Sequence, residues 1–321
     1  MKRTIIKVVA MVLIMSMVFT ACSKKDGDKV FKIGVIQFGS HPSLDNCYEG
    51  LVKGLEASGL KYELDLQNGN FETDTCDTIA KNMVAKDYDL IVAIATPAAM
   101  SAYAASANTN IPVVFCAVSD PVAAGLVDSL DNVGGNCTGT SDVLDLSAQV
   151  DLIQKLQPEL KSIGVLYTTS EANSISHLER LREIGKERGI EIVEQGVQTA
   201  ADIPQAAATL APKVDCINNF TDNNVVNNLN VVLEKANEAG IPVYGSEEEQ
   251  VVNGCIGSMG LDYIALGVTT GEMVAEILGG KKASDIPVAS ITEAKPFLNK
   301  EVMDKFEITV PDEYKDAEFV G

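Results

Sequence analysis

The sequence predicts an α/β chain built of two similar lobes in tandem, each a doubly wound parallel sheet. Three observations point there. Apolar runs alternate with segments of helical spacing along the chain. The alternation then repeats, with matching residues in the same order, about 130 positions later. The length of 321 residues is also more than one core usually organises, and a hydrophobic content of 46% is too high for a disordered chain.

The chain opens on a basic head of Lys2, Arg3 and Lys7, followed by an uncharged run from Val8 to Phe19 (VVAMVLIMSMVF) and then Thr20-Ala21-Cys22. A basic start, a short apolar core and small residues describe a secretory signal peptide over residues 1–21. The core is shorter than the roughly 20 apolar residues of a spanning helix. Small residues followed at once by a cysteine resemble the lipobox of bacterial lipoproteins, with Phe19 where leucine is usual. That resemblance implies cleavage before Cys22 and lipid on it; an ordinary secreted protein or an uncleaved anchor is the alternative. Residues 22–30 then form a short polar tether.

Beyond the tether, residues 33–38, 90–95, 113–118, 163–167 and 190–193 read as buried parallel strands. Leu44, Tyr48, Leu51 and Leu55 repeat at helical spacing, as do Leu178, Leu181 and Ile184. Strands alternating with helices imply right-handed crossovers in an α/β sheet. Ile33-Gly34 returns as Ile163-Gly164, Gly59-Leu60 as Gly189-Ile190, and Asp89-Leu90 as Asp215-Cys216. Thr96-Pro97 is matched by Thr221-Asp222, and Ile111-Pro112 by Ile241-Pro242. Five pairs in one order mark a duplicated unit.

Open α/β sheets bind ligands just beyond the carboxyl ends of their strands. Seven loops lie there: residues 37–44 (QFGSHPSL, opening on Gln37), 96–99 (TPAA), 119–122 (SDPV), 168–174 (TTSEANS), 221–224 (TDNN), 246–250 (SEEEQ) and 260–263 (GLDY). Thr96-Pro97 suits a helix cap with proline at the first helical position, and Ser170, Glu171, Asn173 and Asp222 also suit caps. Amides at helix starts attract anions. Capping alone explains about half of these residues but not their concentration on one face.

The net charge is −20, which repels nucleic acid and anionic headgroups. Beyond the leader the only arginines are Arg180, Arg182 and Arg188, all on one predicted helix, and no lysine lies in the seven loops. The loops carry Asp120, Glu171, Asp222, Glu247 to Glu249 and Asp262. A phosphorylated or dianionic ligand normally meets Arg or Lys. Acids for one cation, with hydroxyls and helix amides for one carboxylate, fit a free amino acid. Its ammonium is assigned to Asp222 ahead of Glu171 and Asp262, its carboxylate to Thr96, Ser119 and nearby amides. Solvated rim charge is the plain alternative for Glu247 to Glu249.

Phe38, His41, Tyr48, Tyr103, Tyr167, Phe220 and Tyr263 lie in or near the loops, and aromatics line ring-shaped pockets. Without tryptophan the chain lacks the commonest sugar-stacking platform. His41 and His177 are the only histidines, and no G-x-S-x-G, H-E-x-x-H or Walker loop occurs. Ser258 in IGSMG lacks the first glycine of a nucleophile elbow, and a His41–Asp45 pair has no nucleophile beside it. Binding without catalysis, cofactor or metal is the expectation. Beyond Cys22, six cysteines form no C-x-x-C pair and read as buried thiols.

The segments FKIGVIQFGSHPSLD, DLIVAIATPAAMSA, IPVVFCAVSDPVAAGLV, NCTGTSD, IGVLYTTSEANS, TDNNVV and IPVYGSEEEQVVNG resemble, in order and spacing, the substrate-binding lipoproteins of ABC importers related to the tryptophan-binding type. The likeness covers about residues 31–300, with SDPV, SEANS and TDN its most specific parts. It implies a type I periplasmic-binding-protein fold with three strands crossing between lobes, and an aromatic amino acid (tryptophan, phenylalanine or tyrosine) as ligand. It implies an ABC permease with its ATPase as partner, a lipid-anchored extracytoplasmic location and a monomer. By the same likeness Thr96 and the amides after Pro97 (Ala98), with Ser119 and Asp120, match the ligand loops of lobe one. Ser170, Glu171, Asn173 and Ser174, then Asp222 and Asn223, match those of lobe two, and Asp262 the last loop. The chain departs from the family at Ser40 and at Glu247 to Glu249. Crossings are expected near residues 140–144, 259–261 and 286–289, giving lobe one as 31–142 plus 261–286 and lobe two as 143–260 plus 287–321. A ligand-sensing receptor module, or a binding protein for a nucleoside or sugar, remains the alternative function.

Overall fold

A computed structural model describes residues 29–291 and 294–320; the leader and Cys22 lie outside them. The apolar runs become the central strands of two sheets, because residues buried on both faces must be apolar throughout. In chain order the first lobe has β1 (Phe31–Gln37), α1 (Pro42–Ser58), β2 (Tyr62–Asn68), α2 (Thr73–Ala85), β3 (Leu90–Ile94), α3 (Thr96–Ser106), β4 (Val113–Cys116) and β5 (Cys137–Ser141). The second follows with α4 (Leu146–Leu156), β6 (Ser162–Thr168), α5 (Ala172–Arg188), β7 (Glu191–Val197), α6 (Ile203–Leu210), β8 (Cys216–Asn218), α7 (Asn223–Asn227), α8 (Leu229–Ala239), β9 (Val243–Tyr244), α9 (Glu248–Val252) and β10 (Gly257–Gly260). The chain closes with α10 (Tyr263–Leu278), β11 (Ala289–Ser290), β12 (Lys295–Asn299), α11 (Lys300–Lys305) and β13 (Glu318–Val320).

The first sheet has the order β11-β5-β4-β3-β1-β2 and the second β7-β6-β8-β9. Every pairing within these two sheets is parallel. In both, the order reverses beside the lobe's first strand, the doubly wound arrangement that opens a crevice beyond the strand ends. A third sheet, β10-β12-β13, joins the second through Gly245 N–H to Gly257 O (3.0 Å) and Ile256 N–H to Val243 O (2.8 Å).

The internal repeat has a physical basis. Ile33 pairs with Leu90 in one lobe and Ile163 with Cys216 in the other, as the matched dipeptides require. Asp89 accepts the Lys32 amide at 2.8 Å, and Asp215 accepts the Lys161 and Ser162 amides at 2.8 Å. The same aspartate thus holds the start of the first strand in each lobe. Gly59 and Gly189 end the helix that follows the first strand of each lobe with φ of 69°, a left-handed turn that costs glycine nothing.

Lobe one is built around Ile33, Val35, Leu51, Val92, Val114 and Phe115. In lobe two one core holds Leu152, Ile163, Val165 and Leu181, and another holds Leu166, Ile203, Ile217 and Val232. Although α10 comes late in the chain, it lies in lobe one against α1. Four glycines form that contact. A Cβ on Gly50 or Gly54 would sit 2.1 or 2.3 Å from the carbonyl oxygens of Ile264 and Val268. One on Gly267 or Gly271 would sit 2.2 or 2.5 Å from those of Cys47 and Leu51. The helices meet backbone to backbone, at a separation that no side chain at these positions allows.

The chain passes between lobes three times: after β5, after β10 and between β11 and β12. Ala289 and Ser290 pair with Thr140 and Ser141 of the first sheet, while β12 pairs with β10 in the third. All six cysteines among the described residues are buried and free of disulfides. No helix of the described residues is long and apolar enough to cross a membrane.

Candidate functional site

The strand-end loops of the two lobes meet around a narrow, partly open cavity of about 10 Å³. Lobe one contributes His41 and Ser43 at the start of α1, Ala95 and Thr96 after β3, and Ala117 and Ser119 after β4. Asp142 enters from the first crossing and Tyr263 from the start of α10. Lobe two contributes Asn173, Thr221, Asn223 and Glu247. No Lys or Arg lines the cavity. Two open grooves flank it, one along Ser40, Asn227 and Asn253, the other along Phe71, Pro97, Ser170 and Glu171.

The backbone is strained where lobe one faces the cavity. Ala95 has φ 79° and ψ 155°, and Ala117 has φ 56°. Non-glycine residues in such conformations cost on the order of 1–3 kcal/mol and persist where surrounding structure enforces them. Here they turn the chain sharply off β3 and β4. The turn at Ala95 sets the amino-terminal end of α3 at the cavity, and the first-turn amides of a helix have no partner within it. Ala95, not Thr96, is the cap residue of α3. Thr96 becomes the first helical residue, 2% exposed.

Four of the sequence-predicted residues share the cavity: Thr96, Ser119, Asn173 and Asn223. Ser119 donates to Asp142 at 2.9 Å, and Tyr263 donates to the same carboxylate at 3.0 Å. Burial pushes the Asp142 carboxyl above its usual range. The other predicted residues lie elsewhere. Gln37 is buried and donates to Gly39 O (2.8 Å) and to Asp45 (2.6 Å). Ala98 is packed inside α3, and Ser170 is exposed on a groove. Asp120 accepts from Ser176 of α5 at 2.6 Å, a contact between lobes. Asn46 of α1 donates to Glu249 of lobe two at 2.6 Å, a second such contact. Asp262 is exposed and caps α10 by accepting the Ala265 amide at 2.9 Å.

The two acids ranked highest for an ammonium are already engaged. Asp222 accepts the Thr168 amide (2.5 Å), the Thr168 hydroxyl (2.8 Å), the Ser174 hydroxyl (2.7 Å) and the Val225 amide (3.0 Å). It ties β6, α5 and α7 together and caps α7. Glu171 accepts from the Asn173 side chain at 3.2 Å, the Asn223 side chain at 2.7 Å and the Asn223 and Asn224 amides at 3.1 and 3.3 Å. Burial, then the nearby Asp222 carboxylate, pushes Glu171 up to about 8. Burial raises Asp222 as well.

Glu247 is different. It is 1% exposed, lines the cavity, and its Oε1 has no hydrogen-bond partner. Burial, then the charge of Glu249, pushes it up to about 8. A run of three glutamates reads as rim charge; the run turns one of them inward because α9 begins there, with Glu247 as its extended cap residue. His41 also lines the cavity, held nearly parallel to Phe71 with ring centroids 6.4 Å apart. Burial lowers its imidazole to about 4, so it is neutral at physiological pH. Asp142, Thr221 and Glu247 are cavity residues that the assignment from sequence left out. For Asp142 the only signal was its place on the first crossing.

Two lobes facing each other across a polar cavity between strand ends define a small-molecule-binding protein of the two-lobed class. The model of the ABC transporter substrate binding protein family matches residues 32–318, and the chain belongs to that family. It is 38% identical to the tyrosine-binding protein of Clostridioides difficile (strain R20291), over 94% of this chain and 91% of that one. Its fold matches a Streptococcus ABC domain in complex with L-Trp at a TM-score of 0.88 and 35% identity, covering 91% of this chain and all of that one. A ligand-free, open substrate-binding protein with adhesive properties from Clostridium difficile matches at 0.69 and 36% identity, covering 91% and 99% of the two chains. At near-equal identity the liganded structure overlays better than the open one, in keeping with the lobe-to-lobe contacts of Asp120 and Asn46. The type I periplasmic-binding-protein fold expected from the sequence is the fold observed.

Proposed function

We propose that the chain captures a free aromatic amino acid in the interlobe cavity and delivers it to an ABC permease and its ATPase. One observation carries the reading: a buried carboxylate with an unpartnered oxygen, Glu247, shares a cavity free of Lys and Arg with the start of α3, Thr96 and Ser119. A carboxylate suits an ammonium, and a helix start with the Thr96 hydroxyl suits one carboxylate. The ammonium therefore goes to Glu247, since Asp222 and Glu171 already accept from the protein. The tyrosine and L-Trp named for its relatives support an aromatic side chain.

A thermal-shift and calorimetric screen of the free amino acids tests this. A ligand at 100 times its dissociation constant stabilises by about 2.7 kcal/mol. Aromatic amino acids should shift the melting transition, while their N-acetyl and amide derivatives should not. A shift by a sugar or nucleoside alone sinks the proposal. The leader and Cys22 support a lipid-anchored, extracytoplasmic protein. Intact mass of membrane-extracted protein should show lipid on a chain beginning at Cys22, and an unmodified mass there rejects the anchor.

A further inference from the structure

Four other atoms besides Glu247 Oε1 line the cavity, are buried and have no partner: Ser43 Oγ, His41 Nδ1, Asn173 Oδ1 and Thr221 Oγ1. They fall into two groups. Ser43 lies close to Glu247. The other three form a second cluster. Asn173 donates its Nδ2 to the Thr221 carbonyl at 3.1 Å, and His41 interacts with Asn223, two residues beyond Thr221.

The orientation of Asn173 is fixed by its neighbours. A backbone carbonyl only accepts, so the NH₂ of Asn173 must face Thr221 O, and it also reaches the Glu171 carboxyl at 3.2 Å. Its Oδ1 is thereby left as a pure acceptor on the cavity wall, in a residue 3% exposed. Thr221 and the neutral His41 line the same cavity. A buried acceptor left unpaired is costly, and a site built around one rejects ligands that bring no donor.

We infer that Asn173 Oδ1, with Thr221 and His41, is a specificity subsite that reads a hydrogen-bond donor on the ligand's ring, selecting a phenol or an indole over a bare phenyl. The inference rests on the amino-acid reading above and adds a choice among aromatic side chains. Glu247, Thr96 and the start of α3 hold the part common to all amino acids. Asn173 and Thr221 then separate tyrosine and tryptophan, which carry O–H and N–H donors, from phenylalanine, which carries none.

Calorimetry on the full chain with tyrosine, tryptophan and phenylalanine decides it. The tighter of tyrosine and tryptophan should bind at least about tenfold more strongly than phenylalanine. In Asn173→Leu that gap should shrink to under about threefold, through weaker binding of the donor-bearing ring and not of phenylalanine. Thr221→Val, which keeps shape and backbone, should narrow it in part, and it decides alone if Asn173→Leu does not fold. Phenylalanine binding within about threefold of both others to the wild type overturns the subsite and leaves the amino-acid reading standing. So does a gap unchanged in the folded variants. Failure of all three amino acids to bind overturns both.

Discussion

Glu247→Gln should weaken aromatic amino-acid binding by roughly 10- to 150-fold while leaving the fold intact. Hydrogen bonds to charged groups are worth about 1.5–3 kcal/mol, and the amide keeps the shape of the carboxylate without its charge. The same residue carries a pH signature. Its carboxyl is pushed up to about 8 in the folded chain, by burial first, against about 4.3 when unfolded. A raised carboxyl binds more protons folded than unfolded, so its stabilising contribution is complete below about pH 4 and fades as pH rises to about 8. Ligand-free protein should therefore lose stability across that window, and Glu247→Gln should flatten part of the slope. Glu171, also pushed up to about 8, and the raised Asp142, Asp222 and Glu249 carboxyls contribute to the rest. An ammonium beside Glu247 favours its ionised form, so stabilisation by ligand should grow from pH 5 to pH 8. Calorimetric affinities with melting curves at the two pH values check this. Tyrosine and tryptophan binding within about threefold of wild type in the variant would remove Glu247 from the site.

Asp222→Ala should give the opposite pattern: a large loss of stability, on the order of 3 kcal/mol or more. The substitution strips the acceptor from the Thr168 amide, the Thr168 and Ser174 hydroxyls and the Val225 amide at once. Each buried donor left unsatisfied costs about 1–3 kcal/mol, offset in part because the carboxyl no longer has to be desolvated. Urea denaturation of the two variants side by side separates the roles. Glu247→Gln should unfold near the wild-type midpoint, and Asp222→Ala well below it. An Asp222→Ala protein as stable as wild type but deficient in binding would return the ammonium to Asp222.

The contrast between these acids marks how far the sequence could be read. Central strands were legible because burial on both faces forces apolar runs, as in Leu90–Ile94. The edge strand β2, YELDLQN, was not, since one exposed face leaves only alternation. The repeat was legible down to Asp89 and Asp215, whose shared task is local. Strand-end loops of both lobes do lie together, and Thr96, Ser119, Asn173 and Asn223 line one cavity. What the loops could not disclose is which acid is free. An aspartate that caps a helix and one that awaits a ligand have the same sequence signature, and Asp222 and Asp262 turned out to be caps. Glu247 becomes a buried acid only when one lobe lies against the other, a fact that no stretch of local sequence contains.

The glycine contact between α1 and α10 also bears on how such a protein could change its ligand. His41 and Ser43 sit at the head of one helix and Tyr263 at the head of the other. With Gly50 and Gly54 pressed against Gly267 and Gly271, these heads are held in one frame with almost no freedom to drift. Retuning that half means altering positions where even a methyl group has no room. Lobe two carries Asn173, Thr221 and Glu247 on separate loops with no such seam joining them. A new preference is therefore far easier to reach by exchange in those loops, with the lobe-one frame kept as a fixed template.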